Sequence, residues 1–308
     1  MIPIRIGTRS SALALAQTGL IVSALKKRHP RLRFETVRIK TEGDEFKSVE
    51  LFKKNHIGVF TKEIERRLLD KTIDIAVHSL KDLPTRLARG LALAAVPKRA
   101  SIADVLISRD RHTLKTLPPG SKVGTGSPRR KQQLMRLRPD LRVLDLRGNL
   151  DTRVSKVLHK KTLDGVVVAR AGIERLKKFG KFWKELDPKT FLPAVGQGAL
   201  AIQVRAKDAR TKKVVASLNH PESERLTAVE REFLNRLQGG CRVPVGILSK
   251  KTGTRIRLKA AVFSVKTDAF VEASVERPWP GAMEAARELA DILLEAGARK
   301  FLREARTA

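Results

Sequence analysis

The 308-residue chain has no tyrosine, and aromatic residues make up only 4% of it. Single-stranded nucleic acid is usually held by stacking bases on aromatic rings, so such platforms are sparse here, and no zinc-finger or RNP-like signature occurs. There is one cysteine, Cys241, which excludes an intramolecular disulfide and a cysteine-cluster zinc site. The six histidines show no i,i+4 pair and no HExxH, so no metal site is expected. No apolar run is long enough to cross a bilayer, and the opening MIPIRIGTRSS puts arginines where a secretory leader needs apolar residues. The sequence therefore predicts a soluble cytoplasmic protein with no membrane association.

What is abundant is positive charge: 64 Lys and Arg against 32 Asp and Glu, a net +32. Residues 220–308 carry 16 basic and 12 acidic side chains, so the surplus is +28 over the first 219 residues and only +4 beyond. Most such charge is ordinarily a solvated surface. Its sharper meaning is an anionic partner, either nucleic acid or a small polyanion, and the shortage of aromatics favours the small molecule.

The hydrophobic pattern predicts α/β architecture for the first two thirds and α+β for the rest. Ile4–Ile6, RFETVRIK, IDIAVHSL and LALAAV read as strands, with SSALALAQTGLIVSALKKRH and TKEIERRLLDK as helices between them. DVLIS, SKVGT, RVLDL and DGVVVA predict a second sheet of parallel βα units, with helices at SPRRKQQLMRLR and LDTRVSKVLHKK. LPAVGQGALAIQV reads as a loop and a strand, followed by the amphipathic helix ESERLTAVEREFLNRL. The tail gives strands VGILSK, RIRLKAAVFS and AFVEASVE and one closing helix, GAMEAARELADILLEAGARKFL.

Several clusters fall where strands run into helices, the usual place for ligand contacts in open α/β sheets. GTRSSALA (7–14) offers backbone N–H groups at a helix start, and alone reads as an ordinary serine-capped helix. VGTGSPRR (123–130) repeats that construction, with Ser127 as cap and Pro128 in the first turn. There Arg129 and Arg130 oppose the positive end of the helix dipole, a cost that an anion offsets. It is not a dinucleotide fingerprint, because the third glycine is missing, and no GxxxxGK[ST] occurs. RGNLDTR (147–153) adds Arg147 and Arg153 after the next strand; together the four arginines can fork several carboxylates. HSLKDLP (78–84) puts Asp82 beyond a buried strand, beside Lys81, a position an isolated turn aspartate also fits. His78 reads as a packed, hydrogen-bonded histidine. In GGCRVPVG (239–246) Cys241 reads as a small buried hydrophobe, or as a thiolate favoured by Arg242.

The order GTRSSALA, VFTKE, DIAVHSLKDLP, VGTGSPRR, LRGNLDTR, LPAVGQGALAI and GGCRVPVG resembles the porphobilinogen deaminase (hydroxymethylbilane synthase) family over essentially the whole chain. The resemblance implies two βα domains like type II periplasmic binding proteins and a smaller α+β C-terminal domain. The implied boundaries are residues 1–97 with 198–217, then 98–197, then 218–308. It implies a covalent dipyrromethane cofactor on a thioether to Cys241, porphobilinogen as substrate, and a transferase reaction that releases hydroxymethylbilane for tetrapyrrole biosynthesis. Asp82 matches the family's catalytic aspartate. Ser79, Lys81, Asp104, Ser127, Arg129 and Arg130 match cofactor-binding positions, and Arg9, Ser11, Arg147, Arg153, Arg175 and Gln197 match substrate-binding ones. The expected partner is the small-molecule substrate alone, with a monomeric chain, no obligate protein partner and no specific nucleic acid.

A catalytically dead anion-binding relative would keep the arginines without needing Asp82 and Cys241 together, and both are present. The chain departs from the family pattern in three ways. His56-Ile57-Gly58-Val59-Phe60 puts Ile57 where a lysine is usual, with Lys53, Lys54 and Lys62 nearby. Pro128 replaces a leucine-like residue, which the first helical turn accommodates. The +32 charge exceeds what one active site needs.

Overall fold

A computed structural model describes residues 2–40, 61–180, 182–238 and 243–307, so the expectations for Ile57 and Cys241 lie outside the described residues. The chain divides into two units, Met1–Ala100 with Gly198–Arg225, and Ser101–Gln197 with Leu226–Ala308.

In the first unit the apolar run at the N-terminus forms β1 (Ile4–Arg9), and Ser11 then caps α1 (Ala12–Arg28), its Oγ accepting from the Ala14 N–H. Lys26, Lys27 and Arg28 in the last turn complement the helix dipole. Among the described residues the remaining elements are β2 (Phe34–Ile39), α2 (Lys62–Leu69), β3 (Ile75–Ser79), β4 (Leu91–Ala95), β10 (Leu200–Arg205) and α6 (Ala209–Ala216). The sheet order is β2-β1-β3-β10-β4. Ile6, Ile21, Leu25, Ile75 and Ile202 pack in one core of this unit, under α1.

The second unit holds two sheets. β5 (Asp104–Ser108), β6 (Lys122–Thr125), β7 (Arg142–Asp145), β8 (Gly165–Ala169) and β9 (Trp183–Leu186) run in the order β7-β6-β8-β5-β9. Its helices are α3 (Pro128–Leu137), α4 (Leu150–Leu158) and α5 (Arg170–Leu176). The boundary between units falls within α7 (Pro221–Arg236). After it, β11 (Val245–Thr252), β12 (Arg255–Phe263) and β13 (Phe270–Pro278) form an antiparallel meander, backed by α8 (Ala282–Leu293) and α9 (Arg299–Thr307). Its core is alanine-rich on the helix side: Ala282, Ala285, Ala286 and Ala290 are fully buried beside Leu289 and Leu293.

The fold class is thus mixed α/β, with a smaller α+β region at the C-terminal end. The expected parallel pairing is found for β1 with β2 and β3 and for β6 with β7 and β8, and needs correction for β5. β10 is antiparallel to both β3 and β4, and β5 is antiparallel to both β8 and β9. Both reversed strands follow the crossings of the chain between units, so neither is delivered by the helical crossover that a parallel connection requires. The single closing helix is also two: Gly297, at φ 105°, breaks it through a π turn over Leu294–Ala298. α5, α6 and β9 were not foreseen, although Asp208 capping Thr211 N–H at 2.9 Å marks the start of α6.

Within the second unit the segment 191–197 lies against the meander. Pro193 C=O accepts from Ile247 N–H at 2.9 Å. A Cβ on Gly246 would stand 2.6 Å from Leu192 Cβ and 3.1 Å from its carbonyl oxygen. Neither neighbour is the free end of a side chain. Gly246→Ala is therefore expected to cost about 1–3 kcal/mol, read as a lower urea midpoint for the second unit.

Candidate active site

The first cluster forms where two neighbouring parallel strands end. β1 and β3 pair with Gly7 opposite Ala76, which brings Arg9 and Ser11, at and just after the end of β1, to the same edge as Ser79, Lys81 and Asp82, at and just after the end of β3. Asp82 closes a single 3-10 turn, Leu80–Asp82, whose first residue is buried and whose N–H is held by the Ala199 carbonyl at 3.0 Å. The leucines on either side of Lys81-Asp82 are core residues, so the turn is anchored while Asp82 itself is exposed and Lys81 half-buried. Ser79 is tied to α1 by Gln17, whose Nε2 donates to Ser79 Oγ at 3.0 Å.

Behind this edge lies a buried polar chain that sequence reasoning recognised only in part. Neutral His78 donates through Nε2 to Gln203 Oε1 at 3.0 Å, and Gln203 Nε2 donates to Glu65 Oε1 at 2.8 Å. Gln203 and Glu65 are buried as well, and no local motif marks them, because pairing of β3 with β10 sets Gln203 beside His78 while Glu65 comes from α2. Burial pushes the His78 pKa down to about 4; the Gln203 bond opposes that shift and the charge of nearby Arg9 adds to it.

The second cluster lies at the corresponding edge of the β7-β6-β8-β5-β9 sheet. β6 runs through Gly126 into Ser127, which caps α3, its Oγ accepting from Arg130 N–H at 3.4 Å with Pro128 in the first turn. A Cβ at Gly126 would lie 2.5 Å from the Leu146 carbonyl oxygen, so only glycine fits between the ends of β6 and β7. Arg129 and Arg130 turn inward and are buried.

Both bind Asp104, the first residue of β5, which is fully buried. Arg129 Nη2 donates to Asp104 Oδ2 at 2.8 Å; Arg130 Nη2 and Nε donate to Oδ1 at 2.7 and 3.0 Å. Gln197 is buried too, and its Nε2 reaches Asp104 Oδ1 at 3.0 Å and the Ile102 carbonyl at 2.7 Å. Burial alone would raise the Asp104 pKa, but the two guanidinium groups outweigh it and hold the carboxyl below its usual range. Burial lowers the Arg129 pKa, against Asp104 and with Arg130. The dipole cost expected for Arg129 and Arg130 is thus met in part from within, by one carboxylate for two cations. Arg129 Nε is a buried N–H with no acceptor among the described residues.

Arg147 and Arg153 follow β7 and Arg175 lies on α5, after β8, so they stand on the same edge of this sheet as Ser127. Arg147 is exposed; Arg153 and Arg175 are half-buried. Arg153 Nε donates to the Gly148 carbonyl at 2.7 Å. Burial pushes the Arg175 pKa down to about 10, against the pull of Glu174, so it remains a cation at neutral pH.

A further supporting residue was missed. Glu230 on α7 is buried and accepts from Gly196 N–H at 2.7 Å, with its other oxygen taking the Ser249 hydroxyl. It therefore fixes the backbone beside Gln197. A glutamate at that position of an amphipathic helix carries no sequence signal of such a role.

Two family models match the chain: "Porphobilinogen deaminase, dipyromethane cofactor binding domain" over residues 4–213, and "Porphobilinogen deaminase, C-terminal domain" over residues 225–295. The chain belongs to the porphobilinogen deaminase family. It is 44% identical to the porphobilinogen deaminase of Thermus thermophilus over 303 residues, covering 98% of each chain. The identity to that of Syntrophus aciditrophicus is also 44%, over 298 residues and 97% of each chain. Among solved structures it is similar to a Salmonella typhimurium periplasmic binding protein of high arginine specificity, with 15% identity, a TM-score of 0.41, and coverage of 74% of this chain and 94% of that one. Membership makes this chain an enzyme of the porphobilinogen deaminase family, with a dipyrromethane-cofactor-binding domain. Among the described residues no helix is long and apolar enough to cross a membrane.

Two outcomes test the site's electrostatics. Because the unfolded His78 takes up its proton near pH 6.5 and the folded one only near 4, stability is expected to fall as pH drops through that window, by about 3 kcal/mol in all. His78→Gln should flatten this limb in urea titrations run between those pH values. Asp104→Asn leaves two buried guanidinium groups without a counter-charge and is expected to cost about 3–5 kcal/mol, read by denaturant unfolding.

Proposed function

We propose that this chain is a transferase that condenses four molecules of porphobilinogen head to tail, releasing ammonia at each addition, and hydrolyses the product free as hydroxymethylbilane. The observation that carries the reading is Asp82, an exposed carboxylate on an anchored turn at a strand edge shared with Arg9 and Ser11, in a chain of this family.

The residues fit a polycarboxylate cofactor. Around Asp104 two buried cations share a single anion, and a buried Arg129 N–H lacks an acceptor among the described residues. A group bearing acetate and propionate side chains complements that imbalance. We assign Ser79, Lys81, Asp104, Ser127, Arg129 and Arg130 to holding dipyrromethane, with Asp104 acting by orienting the two arginines. We assign Cys241 to its thioether attachment. When bound, the cofactor supplies the pyrrole end from which the chain is extended.

The protein's own residues do the rest. Loss of ammonia from porphobilinogen leaves a methylene carbon whose positive charge is shared with the pyrrole nitrogen. The Asp82 carboxylate accepts a hydrogen bond from that pyrrole N–H and stabilises the cation as it develops. After carbon–carbon bond formation the ring carbon must lose its proton to regain aromaticity, and Asp82 assists that transfer. Arg9, Ser11, Arg147, Arg153, Arg175 and Gln197 are assigned to the substrate and the growing chain, where each added ring brings two further carboxylates.

We further propose three domains, residues 1–97 with 198–217, 98–197 and 218–308, in a cytoplasmic monomer whose partner is porphobilinogen rather than another macromolecule.

The test is the intact mass of the purified protein, followed by peptide mapping and porphobilinogen turnover. An excess equal to two linked pyrroles on the Cys241 peptide is expected, and its absence in Cys241→Ser. Asp82→Asn should keep the fold and lower turnover by about a hundred- to a thousandfold. An unmodified Cys241 after incubation with porphobilinogen, or near-normal turnover in Asp82→Asn, would remove the assignment concerned.

A further inference from the structure

Charge in the C-terminal region is nearly balanced, +4 over residues 220–308, and its arginines are largely neutralised one by one. Arg236 pairs with Asp291 at 2.8 Å, Arg255 and Arg257 share Glu276 at 2.6 and 2.7 Å, Arg277 meets Glu288 at 2.5 Å, and Arg287 meets Glu232 at 2.7 Å. The helix α9 breaks this pattern. Arg299 and Arg303, one turn apart, have no carboxylate or other acceptor among the described residues. Arg306, a further turn on, donates to the backbone carbonyl of Gln238 at 2.9 Å.

These three arginines and Arg236 line a groove of about 340 Å³, whose apolar lining is Leu237, Leu294 and Leu302. The chain pays twice for the arrangement. Like charges at i,i+4 repel, and Arg299 opens α9, where the helix dipole is positive. Nor is the helix an unbroken extension of α8: the π turn with Gly297 at φ 105° immediately precedes Arg299 and sets the direction of the basic face. The general surplus of the protein does not account for the cluster, since that surplus lies in the first 219 residues.

A guanidinium forks a carboxylate through paired N–H donors and lies flat against π faces. Arg236 is taken by Asp291 and Arg306 by a backbone carbonyl, so Arg299 and Arg303 are the pair open to a ligand, and their complement beside the leucine side chains is a flat apolar frame bearing carboxylates. We infer that this groove is a second ligand site, separate from the Asp104 cluster, for an aromatic or heteroaromatic polycarboxylate. The inference stands on the groove alone and does not require the proposed reaction.

The experiment is arginine labelling of the full-length protein with p-hydroxyphenylglyoxal at about 0.15 M salt, read peptide by peptide by mass spectrometry. The probes are pyromellitate, a benzene ring with four carboxylates, and inorganic phosphate. Pyromellitate is expected to slow modification of Arg299 and Arg303 by about tenfold, to leave exposed Arg255 and Arg257 unchanged, and to act more strongly than phosphate. In calorimetry the double variant Arg299→Gln, Arg303→Gln should lose a pyromellitate site that the unaltered chain has, with an unchanged circular-dichroism spectrum. Equal protection of all exposed arginines, equal protection by phosphate, or identical isotherms for the two proteins would overturn the inference.

Discussion

Asp104 sits fully buried between two buried guanidinium groups, and much of the second unit is organised around that contact. It joins three stretches of chain that are far apart in sequence: the start of β5, the first turn of α3 and the end of segment 191–197. Each partner is held elsewhere as well. Arg130 donates to the Val167 carbonyl, Arg129 and Gln133 to the Leu192 carbonyl, and Gln197 to Ile102. A buried ion pair gains little over well-packed apolar residues, so stability alone is a poor reason to place two arginines here. Its use is geometric: the guanidinium groups are fixed before any anion arrives, which lowers the entropy cost of binding one.

The same constraint explains why the segment 191–197 can serve two masters. On one side Gln197 reaches Asp104; on the other Gly196 N–H is held by Glu230, and Pro193 by the first strand of the C-terminal meander. Gly196 has φ 69°, a conformation that favours glycine, so the chain turns there without strain. The meander and the arginine pair are in this way referenced to one short stretch of backbone within the unit.

The two five-stranded sheets repeat one physical solution. A strand ends, a serine caps the next helix, and basic side chains stand at the helix start: Arg9 and Ser11 at the end of β1, Ser127 to Arg130 after β6. The sheets differ in how the charge is managed. In the first unit Arg9 stands beside a histidine kept neutral by burial, and the carboxylate of interest, Asp82, is exposed. In the second, the carboxylate is buried and the exposed members of the cluster are cationic. In the proposed reaction the exposed acid serves the developing cation and the buried arginines serve carboxylates.

The sequence alone determined the element types wherever the periodicity was long or the caps were explicit. The alternation of Phe34–Ile39, a serine cap at Ser10 or Ser11, the Ser127 cap and the apolar runs before His78 and Arg170 were legible because each is a local rule acting over a few residues. The family, too, was legible, through the order of seven short motifs. Strand direction was not: β5 and β10 run antiparallel to their neighbours, and nothing local to a short buried strand records which way its partners point. The break at Gly297 was hidden in a continuous helical pattern, since a single glycine is compatible with both outcomes. Likewise the partners of Arg129, His78 and Gly196, namely Asp104, Gln203 and Glu230, lie 25 to 125 residues away and were set by packing. A carboxylate announces its chemistry in the sequence, but its charge partners and exposure belong to the tertiary structure, because both depend on which distant backbone the fold brings within a few ångströms.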